Sequence, residues 1–116
     1  MKLAPLAMAA LSACTSSATA STDEAMRAKG RDLYRKYCAL CHGERGDGHG
    51  LRREGLSQAP RDFTNHSWRR EAATRSVEAA IRDGVRGTSM PAWHSLDPGE
   101  ISALTAYVLS IAQEGP

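Results

Sequence analysis

Cys38-Ala39-Leu40-Cys41-His42 constrains this chain more than any other stretch. Two thiols three positions apart with a histidine directly behind them form the attachment pattern of c-type haem. Both sulfurs can add to the vinyl groups on one porphyrin edge, which fixes the ring against the chain and brings His42 to the iron as proximal ligand. A second feature lies further on, at Thr88-Ser89-Met90-Pro91. A thioether there can close the sixth coordination position. His/Met ligation raises the reduction potential and leaves no iron site for a substrate, so the expected function is electron carriage rather than catalysis.

The composition agrees with a fold that needs a prosthetic group. The chain has 116 residues, with one Phe, two Trp and three Tyr. A single small domain buries proportionally little surface, and so few large rings make a thin protein core. One covalently held macrocycle would fill it. Net charge is +2, with arginines 45, 52, 53, 69, 70, 75, 82 and 86 all beyond the cysteine pair. This is too mild a balance for nucleic acid, and no nucleic-acid motif accompanies it. Read functionally, these arginines form a basic rim that steers the domain to redox partner proteins with acidic docking faces; read plainly, they are a solvated surface. No acid–base or nucleophile constellation appears, and no small-molecule substrate is implied.

The first residues read as an address. Lys2 is a minimal positive region and Leu3 to Leu11 a short apolar one, too short for a permanent span. Leu11-Ser12-Ala13-Cys14 matches a bacterial lipobox, making residues 1–13 a signal peptide and Cys14 the lipid-bearing terminus of a membrane-anchored, periplasm-facing protein. The alternative is cleavage after Ala20, in Ala18-Thr19-Ala20, giving a soluble periplasmic protein. Residues 14–22, rich in Ser, Thr and Ala, read as a flexible tether, and 23–116 as the domain. Cys38 and Cys41 belong together and Cys14 to the address, so no structural disulfide is implied.

Along the domain, Ser21-Thr22-Asp23-Glu24 resembles a capping box, and a helix is expected from near Asp23 into the cysteine pair. Gly30 interrupts it at a cost of about 1 kcal/mol against alanine, which points to a close approach by another element. Residues 43–50 hold four glycines in eight positions and cannot be regular structure. A phosphate-cradling loop is the alternative, but no strand precedes it and no Lys-Ser/Thr closes it. A helix is expected over Thr74 to Asp83, stopped by Gly84. Another starts behind Asp97, Pro98 and Glu100, with Ile101, Leu104, Val108 and Ile111 on one stripe. No alternating strand pattern appears, so the fold class is all-α.

The order of these features resembles a class I cytochrome c over about residues 24 to 113. The likeness is carried by Gly30-x-x-x-Tyr34, Cys38-x-x-Cys41-His42-Gly43, the glycine-rich loop, Ala59-Pro60, Ile81-x-x-Gly84, Met90-Pro91 and Leu104-x-x-Tyr107-Val108. The resemblance implies four to five helices wrapped around one haem c, bound through Cys38 and Cys41. It also implies that the first and last helices cross at Gly30 and Tyr107, and that the Pro60 carbonyl accepts a hydrogen bond from His42. Arg61 and Trp68 become candidates for the haem propionates, while residues 61–73 depart from the family pattern.

Competing readings remain at this point. The Cys-x-x-Cys pair could serve thiol redox chemistry, though without the βαβ context that motif needs. With His42, His49, His66 or His94 it could bind zinc. His94 rivals Met90 for the sixth position, and bis-histidine ligation would lower the potential. A haem peroxidase or gas sensor with a displaceable distal ligand is the alternative function. Met26 reads as a core gap-filler, and Trp93 as core beside the ring.

Overall fold

The computed structural model describes residues 1–6 and 15–113, and the Leu11–Cys14 lipobox lies outside them. Among the described residues there are five α-helices and no strand: α1 Thr15–Tyr37, α2 Ala39–His42, α3 His66–Glu71, α4 Thr74–Asp83 and α5 Pro98–Ile111. A 3₁₀ turn at Arg53–Gly55 lies between α2 and α3.

Helix α5 forms where its caps are written. The Asp97 carboxylate accepts from the Glu100 N–H at 2.8 Å, and the Glu100 carboxylate accepts from the Asp97 N–H at 2.9 Å. Pro98 follows at the first helical position, where its missing N–H costs nothing. The stripe Ile101, Leu104 and Val108 is buried, and burying Leu104 completely contributes roughly 1.5–3 kcal/mol. Helix α4 runs over the expected residues and turns its Ile81 into the same core.

The main packing is α1 against α5. At their crossing a side chain on Gly30 would fall on the Ala103 carbonyl and within 2.8 Å of the Tyr107 Cβ. Glycine is there because two backbones meet. Tyr34, one turn on, sits edge-on to Tyr107 with ring centroids 5.2 Å apart. Phe63, Ile81 and Leu96 complete a small cluster with the α1 and α5 residues.

Helix α1 begins at Thr15, earlier than the expected start near Asp23, so residues 15–22 are helix rather than flexible tether. The capping box expected at Ser21 does not form. The Ser21 and Thr22 hydroxyls instead donate back to the Ala18 carbonyl, at 2.8 and 2.6 Å, a bond the interior of a helix offers these residues. Met26 is 42% exposed on this stretch rather than a core residue. Among the described residues no helix is long and apolar enough to cross a membrane.

Candidate functional site

The helical path of α1 carries on past a break at Cys38. Cys38 N–H donates to the Tyr34 carbonyl at 2.8 Å, and the Cys38 carbonyl accepts from Cys41 and His42 at 3.2 and 2.9 Å. Residues three and four apart on a helix share a face, so Cys38, Cys41 and His42 all line one cavity. The two sulfurs are not joined to each other. Burial, reinforced by Cys41, pushes the Cys38 thiol up to about 12, so it is an uncharged group in an apolar wall.

A four-residue helix leaves its carbonyls without partners, and the glycine-rich loop supplies them. Gly48, Gly50 and Arg52 donate in turn to the carbonyls of His42, Cys41 and Leu40, at 2.7, 3.2 and 2.9 Å. The loop runs so close that a side chain on Gly50 would overlap the Leu40 and Cys41 carbonyls. Gly48 and Gly50, with Arg52 behind them, are therefore how the loop holds the end of α2.

His42 is held twice more. Its Nδ1 lies 3.1 Å from the Arg61 carbonyl. A carbonyl only accepts, so Nδ1 carries the proton and Nε2 is left as the metal-binding nitrogen. The expected partner was the Pro60 carbonyl; the bond falls one residue later, because Pro60 faces the glycine-rich loop, with its carbonyl 2.8 Å from where a Gly48 side chain would stand. Phe63 stacks on the imidazole, with centroids 4.5 Å apart and planes inclined by 20°. Phe63 is itself placed by its N–H, which donates to the Gly46 carbonyl at 2.7 Å. Burial lowers the His42 pKa, while the Arg61 bond works in the opposite sense. The net effect is a neutral imidazole, the form that binds metal.

The cavity measures about 1330 Å³, above the roughly 300–1,000 Å³ of ordinary ligand pockets. Its walls include Val77, Ala80, Ile81, Trp93 and Val108, and Trp68 and Arg61 line it as well. Trp93 is partly buried against the core with its ring 5.0 Å from that of Tyr37. Among the described residues, His42 and Met90 are the histidine and methionine that line the cavity. His49, His66 and His94 are exposed and lie off it, so the thiols have one imidazole beside them, too few donors for a four-coordinate zinc. A large apolar cavity, two cysteines on one helix face, a neutral imidazole with its outer nitrogen tied, and a thioether all fit an iron porphyrin.

The structure brings the expected Cys38, Cys41, His42, Met90, Pro60 and Arg61 together along one cavity, with Arg61 meeting His42 through its backbone. Sequence reading missed Phe63. The ring is the only phenylalanine of the chain, yet no spacing rule connects it to His42.

The sequence profile of the family described as cytochrome c oxidase, cbb3-type, subunit III matches residues 25–108. The chain is 33% identical over 93 residues to the cbb3-type cytochrome c oxidase subunit FixP of Azorhizobium caulinodans, covering 79% of this chain and 29% of that protein. It is 33% identical over 89 residues to the CcoP subunit of Azospirillum brasilense, covering 76% and 29%. The chain thus spans less than a third of the curated relatives it matches. Among solved structures it resembles a chain of the reducing HAO-like protein complex of Kuenenia stuttgartiensis, at TM-score 0.61 and 28% identity over 72% of this chain and 41% of that one. It also resembles the KustC0563 c-type cytochrome, at TM-score 0.60 and 30% identity over 71% of this chain and 95% of the other.

Proposed function

The chain belongs to the c-type cytochrome family described as cbb3-type cytochrome c oxidase subunit III, an all-α domain that binds haem c covalently, and from this we propose a single-electron carrier with His/Met axial ligation. It serves respiratory or periplasmic redox partners, either free or as a subunit of a larger complex. The relatives' names support the second of these, since both are oxidase subunits.

When bound, haem c supplies a one-electron iron couple. The rest belongs to the chain. Cys38 and Cys41 hold the porphyrin edge, and His42 offers Nε2 to the iron while the Arg61 carbonyl and the Phe63 ring fix its plane. Met90 would be the second protein ligand to the iron, and Arg61 and Trp68, which line the same cavity, would be the residues to meet the propionates. With both ligands supplied by the chain, water and small ligands would be kept from the metal, and no proton donor or nucleophile would be needed.

Partners dock at the mouth of the cavity. Leu51 is 92% exposed and Leu40 50% exposed there, and Lys36, Arg52 and Arg61 line the same opening. The wider set of arginines is partly engaged elsewhere: Arg69 Nε donates to the Leu109 carbonyl at 2.6 Å and Arg82 pairs with Asp83 at 3.2 Å. The docking face is therefore apolar with a basic edge, suited to an acidic partner. We place the protein on the periplasmic side. It is held there by lipid on Cys14 or released by cleavage after Ala20, and the mass of the mature protein separates the two.

The ligand assignment is carried by one observation: His42 and Met90 share the cavity while His94 lies outside it. Met90→Ala should abolish the near-infrared thioether-to-iron charge-transfer band of the oxidised protein and lower its potential. His94→Ala should leave both unchanged. The reverse pattern would replace Met90 by His94 as the sixth ligand.

A further inference from the structure

Two serines join the walls of the cavity mouth. Ser57 follows the 3₁₀ turn on one side, and Ser89 sits on the loop between α4 and α5 on the other. Their hydroxyls are 3.2 Å apart, and the Ser57 N–H also donates to Ser89 Oγ at 3.4 Å. Ser89 lies immediately before Met90, and both line the cavity. On its own side the Met90 loop is closed by bonds within itself. Val85 N–H donates to the Met90 carbonyl at 3.4 Å, the Thr88 hydroxyl to the Val85 carbonyl at 2.7 Å, and Met90 N–H to Thr88 Oγ1 at 3.2 Å. These bonds fix the shape of the loop. They do not fix its place against the opposite wall, which is what the serine pair does.

We propose that Ser57 and Ser89 form a clasp that holds the Met90 loop against the cofactor and sets how readily an outside ligand displaces the thioether. The pair is positioning: both serines act through Met90. The inference rests on Met90 as sixth ligand. Displacing that ligand requires its loop to move off, and the clasp must open when it does. One hydrogen bond changes an equilibrium constant by about two- to ten-fold. Both serines are exposed, which puts this one near the lower end, at about three-fold.

The test is a titration of the oxidised holoprotein with imidazole, in the wild type, Ser57→Ala, Ser89→Ala and the double variant. Ser89→Ala removes both contacts and should raise imidazole affinity by about three-fold. Ser57→Ala keeps the backbone contact and should do less. The double variant should match Ser89→Ala, because the same link cannot be lost twice. Unchanged affinity in Ser89→Ala, or a double variant equal to the product of the singles, overturns the clasp. The charge-transfer band of the wild type separates the two claims. If the band is present and the affinity does not move, the clasp alone falls; if the band is absent, Met90 is not the ligand and the clasp falls with it.

Discussion

Tyr34 ties the first helix to the end of the haem motif through one atom. Its phenol is fully buried and donates to the Gly43 carbonyl, one residue past His42, at 2.6 Å. In Tyr34→Phe the ring still packs, but that carbonyl loses one of its two donors and keeps the Gly46 N–H at 3.1 Å. Unfolding by urea should show a loss of about 0.5–1.5 kcal/mol. Burial also raises the Tyr34 pKa well above its ordinary value of 10. The native state keeps a proton that the unfolded chain releases, so this contribution is complete below pH 10 and shrinks as pH rises past it. Wild-type stability should therefore fall more steeply above pH 10 than that of Tyr34→Phe; parallel curves would contradict the assignment. Thr105 is the opposite case. Its hydroxyl is buried on α5 without a hydrogen-bond partner, and Thr105→Val keeps the shape while removing that cost. The variant should be more stable by about 1 kcal/mol, read as a higher midpoint of unfolding.

At the scale of elements, the crossing of α1 and α5 is the joint on which the cavity depends. Gly30→Ala would set a methyl group on the Ala103 carbonyl. Separating the helices should cost about 1–3 kcal/mol or more, with loss of haem retention during export; a variant of wild-type stability would show the crossing to be loose. Helix α5 was legible in the sequence because its start is local chemistry, in Asp97, Pro98 and Glu100, and α4 because its apolar spacing ends at the Gly84 stop. The start of α1 was not. Ser21 and Thr22 can cap a helix or bond backwards within one, and the spacing is the same for both. Nor was α3, whose six residues are too few to show a period and whose Asn65 cap is visible only once the Trp68 N–H is seen to donate to it. The site divides in the same way. Cys38, Cys41 and His42 are neighbours in the chain and could be read directly. The Arg61 bond, the Phe63 stack and the Ser57–Ser89 contact join distant residues through the loops, and no local rule states them.

For the whole molecule, the helices enclose one apolar cavity and leave its mouth both apolar and basic. Exposed charges are screened over about 10 Å at 0.1 M salt, so oxidation of the reduced protein by an anionic complex such as hexacyanoferrate should slow as salt is added. Replacing Lys36 and Arg52 by glutamate should slow it roughly ten-fold at low salt and flatten the dependence; an unchanged rate would move the docking face elsewhere. If this cavity holds haem c between His42 and Met90, as proposed, no position at the iron is left open. The measurement that addresses it most directly is the optical spectrum of the reduced wild-type protein, produced in a host able to attach haem c, before and after addition of CO. Sharp low-spin bands that CO leaves unchanged are the predicted result. A shift on CO addition would show an open sixth position and turn the protein from electron carrier to ligand-binding haem protein.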